Sequence, residues 1–157
     1  MFGFRKNKAQ IQLLNALITI NIDRIKGYQK LEKLGVDYPN VLMVAAGKAQ
    51  QSQKYIERIK EIIREIGGEP LEEQSIEGSV FRVWMNIKNM LNIDDYKNML
   101  MNCEFGENTA LKLYDETLPK LKSKLEEAAF EDLLSQRDGI YRSINEIQDL
   151  YKPIAEK

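Results

Sequence analysis

The residues best placed to do chemistry are a thiol and two carboxylates, Cys103, Glu104 and Glu107, within the stretch CEFGEN at 103–108. Glu104 and Glu107 stand three apart, so on a helix they share one side and could converge on a cation. Bundles that hold a pair of metal ions use one glutamate from each of two helices and a Glu-x-x-His pair from each of the other two. This chain has no histidine. It therefore lacks the commonest general base and the commonest metal-ligating side chain, and any catalysis falls to carboxylate, thiol, lysine or tyrosine. The two glutamates beside Cys103 oppose a thiolate, so the cysteine reads as a buried structural residue rather than a nucleophile. Tyr28, Tyr55 and Tyr114 are candidates to donate a hydroxyl to Glu107.

Positioning these groups requires helices, and hydrophobic residues recur with a 3.6-residue period along nearly the whole chain. Ile11, Leu14, Ile18, Asn21, Ile25 and Tyr28 give a first helix over 8–34, stopped by Gly35. Pro39 starts a second, whose stripe of Leu42, Ala45, Ala49, Ser52, Ile56, Ile59, Ile63 and Ile66 ends at Gly67 and Gly68. Residues 68–94 are too long for a turn and read as a crossover. It carries a short amphipathic helix with Val80, Phe81, Trp84, Ile87 and Leu91 on one side. A third helix over 95–118 turns Tyr96, Leu100, Cys103, Glu107, Ala110 and Tyr114 inward. Pro119 then suits the first turn of a fourth that runs to Tyr151, with Pro153 breaking the chain. The expected architecture is all-α: a four-helix bundle with one long crossover, a single domain over 1–157 in which residues 1–7 form a flexible tail.

Within these stripes Asn21, Ser52, Glu107 and Gln136 fall near the centre of each apolar arc and near the middle of each helix, so they are expected to meet in one polar layer. Two readings of that layer stand side by side. In one, the residues hydrogen-bond each other and set helix register. In the other, the layer marks a metal cavity around Glu104 and Glu107, although Asn21, Ser52 and Gln136 are weak, neutral ligands. Glu61 and Glu65, beside Lys60 and Arg64, read as a solvated face.

Composition narrows the function classes. The chain has 157 residues, 43% hydrophobic and 30% charged, with a net charge of −1. That balance is neither the basic footprint of a nucleic-acid binder nor the composition of a disordered chain. The single cysteine cannot form an internal disulfide, and no stretch has the pattern of a signal peptide or a membrane span, so a cytoplasmic location is expected.

Three local patterns, GGEP at 67–70, RVWMNIK at 82–88 and CEFGEN at 103–108, resemble in order and spacing the ferritin-like bacterial family called domain of unknown function 2383. The resemblance runs from about residue 13 to about residue 151. It implies a ferritin-like four-helix bundle and no established activity. In that family helix one carries a glutamate before a Lys-Gly-aromatic motif, which here is Ile25 before Lys26, Gly27 and Tyr28. Helix four carries a histidine at the place of Ile144. Cys103, Glu104 and Glu107 match, whereas both other polar positions are isoleucine.

The resulting expectation is a non-catalytic bundle, without a cofactor, that acts as an interaction or assembly module. Its partner would be a second copy or another protein, and Phe81, Trp84 and Ile87 are the candidate contact residues. The alternative is a carboxylate metal-binding protein or oxidase centred on Glu104 and Glu107.

Overall fold

A computed structural model of the chain describes residues 7–34, 38–72 and 96–155. The described residues form four helices and no strand: α1 Lys8–Leu34, α2 Pro39–Glu65, α3 Tyr96–Leu121 and α4 Glu127–Ala155. The expected tail over 1–7, apart from Asn7, and the Val80, Phe81, Trp84, Ile87 and Leu91 stripe of the connecting segment lie outside the described residues.

Local signals explain most helix ends. Pro39 sits in the first turn of α2, where its missing N–H costs nothing, and the Tyr38 carbonyl accepts from the amides of Val41 and Leu42. At the other end Gly67 takes a left-handed φ of 86°, its N–H donates to the Arg64 carbonyl, and the Gly68 N–H donates to that of Ile63. These two bonds satisfy the orphan carbonyls of the last turn in a Schellman motif.

The boundary between the last two helices differs from the expectation. Pro119 does not open α4. It lies inside the last turn of α3, because burial of Leu118 and Leu121 carries that helix two residues past the proline. The chain reverses over 122–126, with Ser123 at a φ of 66°, and α4 starts at Glu127. Pro153 likewise falls within the final turn of α4.

Pairing across the bundle fixes helix directions. Arg24 meets Glu107 and Asn21 meets Tyr114, so α1 and α3 are antiparallel. Asp115 meets Arg137 and Glu104 meets Gln148, which makes α3 and α4 antiparallel. Arg58 meets Asp132 and Lys48 meets Glu146, so α2 and α4 are antiparallel as well. Each helix thus has two antiparallel neighbours, and α2 runs parallel to α3 on the diagonal.

The core divides into two apolar clusters. The larger gathers Leu14, Leu17 and Ile18 of α1 with Ile56, Ile59 and Ile63 of α2, Leu118 and Leu121 of α3, and Leu133 of α4. The smaller lies toward the opposite end, around Tyr28, Leu31, Val41, Leu100, Cys103 and Ile147. At about 25 cal/mol per Å² of buried apolar surface, each fully buried leucine or isoleucine contributes roughly 1.5–3 kcal/mol.

Candidate functional site

Between the two clusters lies a layer of polar side chains drawn from all four helices. Its centre is an ion pair. Arg24 Nε donates to Glu107 Oε1 at 2.6 Å and Arg24 Nη2 to Glu107 Oε2 at 2.8 Å, with both side chains completely buried. This fork-to-fork geometry is the strongest form of the arginine–carboxylate contact. The guanidinium makes two further bonds: Nη1 donates to Asn21 Oδ1 at 3.2 Å and Nη2 to Gln51 Oε1 at 2.9 Å. Burial by itself would lower the Arg24 pKa, but the charge and hydrogen bonds of Glu107 outweigh it and raise the value, so the guanidinium stays charged.

From Arg24 the hydrogen bonds continue in one direction. Asn21 Nδ2 donates to Tyr114 Oη at 2.8 Å, Tyr114 Oη donates to Gln136 Oε1 at 2.7 Å, and Gln136 Nε2 donates to the Tyr55 carbonyl at 3.2 Å. With the Arg24 to Gln51 bond, the links cross α1–α3, α3–α4, α4–α2 and α2–α1 in turn. The network links all four helices around the bundle axis, with Gln51 and Tyr55 joined only through the backbone of α2.

Ser52 is the member left out. It is fully buried in the same layer, yet its Oγ has no hydrogen-bond partner among the described residues. Ser143, also buried, donates to the Gly139 carbonyl of its own helix. Gly139 has a separate role, since a Cβ there would stand 1.9 Å from Tyr55 Oη. The missing side chain lets Tyr55 lie against α4.

Protons in the layer are firmly held. Tyr114 is raised above its ordinary value by burial, despite the opposing hydrogen bond from Asn21 and the charge of Arg24. Tyr28 is raised well above its usual value by burial first and by the charge of Glu107 second. The same two causes in the same order push up the Cys103 thiol, so it is a buried neutral group.

The structure separates the two glutamates of the CEFGEN stretch. Glu107 faces Arg24 in the interior, whereas Glu104 turns toward α4, where its carboxylate accepts from Tyr151 Oη and from Gln148 Nε2. Asn21, Ser52, Glu107 and Gln136 all lie in the interior layer, and Asn21 and Gln136 are joined through Tyr114. Tyr114 spends its proton on Gln136 rather than on Glu107. Ile25 is half-buried and Ile144 is buried, so neither position places a polar group in the interior. Phe81, Trp84 and Ile87 lie outside the described residues.

Arg24 is the site residue that hydropathy conceals. The spacing Leu17, Asn21, Arg24, Tyr28 places it on the inner face by the 3.6 period, but its charge argues for solvent and Ile25 beside it looks like the better core residue. A lone buried glutamate at Glu107 was the usable signal, because a buried carboxylate needs a cationic or hydrogen-bonding partner.

A bundle of this kind invites the question of a metal pair, and the donor set does not fit one. Both oxygens of Glu107 are engaged by a guanidinium, a fixed positive charge where a metal cation would have to sit, and the flanking groups are amide, hydroxyl and phenol. No group of three metal-ligating side chains converges among the described residues.

The fold and its interior define an all-α helical bundle whose central layer is an ion-paired hydrogen-bond belt. The chain belongs to the family described as Domain of unknown function (DUF2383), which matches residues 9–120. No curated protein and no solved structure matches it. Among the described residues no helix is long and apolar enough to cross a membrane.

Proposed function

We propose that the chain is a single-domain, ferritin-like four-helix bundle that is not catalytic and acts through its surface as an interaction or assembly module. The ferritin-like topology is supported by the parallel, diagonal course of α2 and α3. A chain that leaves one end of the bundle and re-enters at the other needs one long crossover. The observation that carries the functional reading is the Arg24–Glu107 pair. In a bundle of this topology the mid-height interior is where a metal or substrate cavity would be built, and here it is filled by charges that neutralise each other.

What remains for function is the exterior. Among the described residues Met101 and Phe105, one turn apart on α3, are 39% and 42% exposed, and Met43 on α2 is 75% exposed. Phe81, Trp84 and Ile87 of the connecting segment are proposed as further contact residues, with a second copy or another protein as the partner. The carboxylate metalloprotein reading is not favoured, because Glu104 and Glu107 point to different partners.

Elemental analysis of protein expressed with added iron, manganese and zinc tests the choice. Well under one ion per chain is expected. Two ions per chain, lost on Glu107→Gln, would replace this reading with the metalloprotein one.

A further inference from the structure

Of the four seams between neighbouring helices, that between α2 and α4 is the least closely packed among the described residues. Three contacts cross its outer side, in order along the two antiparallel helices: Lys48 Nζ with Glu146 Oε2 at 2.6 Å, Tyr55 against Gly139, and Arg58 Nε with Asp132 Oδ2 at 2.6 Å. The two ion pairs lie at the surface, where the Glu146 and Asp132 side chains are 56% and 52% exposed, and pairs of that kind hold little. The seam between α1 and α3, by contrast, is held by the fully buried Arg24–Glu107 and Asn21–Tyr114 contacts.

Tyr55 closes the middle of this seam. Its ring lies over the Arg24 guanidinium, with Cζ of Arg24 5.8 Å from the ring centre, near the outer limit of a cation–π attraction. Its hydroxyl rests against Gly139, where any Cβ would collide with it. The residue is half-buried, so one side of the ring meets solvent while its face covers a completely buried charge. The bond that carries the polar network across the same seam, from Gln136 Nε2 to the Tyr55 carbonyl, is long at 3.2 Å.

Behind the tyrosine stands a group that gains from opening. Ser52, one turn earlier on α2, is fully buried, and its Oγ has no partner among the described residues. A buried hydroxyl without a partner carries its desolvation penalty in the shut state, and water relieves that penalty once it enters. The seam with the weakest outer contacts is thus also the one whose opening satisfies a polar group of the layer.

We propose that the α2–α4 seam is the side on which the bundle opens and that Tyr55 is its latch. When the ring leaves Gly139 the seam parts at mid-height, and water reaches Ser52 and the Arg24–Glu107 pair while the other seams stay packed. The opening is a local excursion from a shut resting state, and such excursions cost less than global unfolding. The latch rests on the geometry of the seam and not on the interaction reading above.

Hydrogen exchange of the full chain reads the opening directly. The Arg24 Nε–H should be at least about tenfold less protected than the slowest backbone amides of the core, and its exchange should barely respond to low urea, because a local opening exposes little surface. Gly139→Ala crowds the latch, and opening relieves the crowding, so exchange at Arg24 should quicken by about tenfold. Tyr55→Phe in the same chain should reverse part of that gain. Should these variants fail to fold, carbodiimide coupling of the unaltered protein still decides. Condensing Lys48 Nζ with the Glu146 carboxylate, with loss of water, ties α2 to α4, and the product mapped to that single link should exchange its Arg24 Nε–H severalfold more slowly. A Lys60–Glu57 link, which stays within α2, should leave the rate unchanged. Exchange at Arg24 that tracks the slowest core amides through urea, that ignores Gly139→Ala in a folded chain, or that ignores the Lys48–Glu146 link would overturn the proposal.

Discussion

Replacing Arg24 by methionine keeps most of its apolar stem and removes the charge, leaving the fully buried Glu107 carboxylate without its cation. Both side chains are fully buried and joined by two short charge-assisted bonds. Breaking one partner of such a pair costs about 3–5 kcal/mol, mostly the penalty of the stranded charge. Loss of the bonds to Asn21 and Gln51 adds to this, each about 1 kcal/mol. With a urea slope of about 2 kcal/mol/M, the midpoint of Arg24→Met should fall by roughly 3 M. Glu107→Leu should cost a similar amount for the mirror-image reason. The double variant Arg24→Met/Glu107→Leu strands no charge, and replacing both ions of a buried pair is often neutral or stabilising. Its midpoint should lie above that of either single variant, a strongly non-additive cycle read in equilibrium urea unfolding. Single substitutions that each cost under about 1 kcal/mol and add in the double variant would refute the buried-pair argument.

The same structure yields four smaller expectations. Ser52→Ala removes a buried hydroxyl that has no partner among the described residues and adds a better helix former, so its urea midpoint should rise, by up to about 1 kcal/mol in stability. Gly139→Ala should lose about 1–3 kcal/mol by collision with Tyr55 Oη, and Tyr55→Phe in the same chain should recover part of that loss. The hydrogen bond to Glu104 first, and burial second, push Tyr151 up to about 12. The folded state thus holds this proton longer than the unfolded chain does, and the stability it lends is full below pH 10 and lost as pH rises toward 12. Ultraviolet titration should show that late step vanish in Tyr151→Phe. Cys103, buried and neutral, should react with an aromatic disulfide reagent far more slowly in the native protein than in denaturant.

The helices were legible because their period is a local property. Ile56, Ile59 and Ile63 bury one stripe of α2, and Gly67 ends it with a conformation that glycine adopts freely. The start of α4 was not legible, because the rule that proline opens a helix competes with burial of Leu118 and Leu121, which keeps Pro119 inside α3. In the candidate site, the interior placement of Asn21, Glu107 and Gln136 follows from helical period alone. Their partners do not. Arg24 and Glu107 are 83 positions apart, and only the three-dimensional pairing of α1 with α3 tells which cation meets the carboxylate. Asn21 and Gln136 likewise need Tyr114 between them, a link that depends on helix direction rather than on spacing.

Titrating manganous ion into isotope-labelled protein asks whether the Arg24–Glu107 pair closes the interior to cations. Paramagnetic broadening reports any ion that settles near Arg24. With the interior closed by the pair, a slowly exchanging Arg24 Nε–H signal should persist at one and two equivalents of metal and disappear in Glu107→Gln. Selective loss of that signal at substoichiometric manganese, before any surface carboxylate responds, would contradict it.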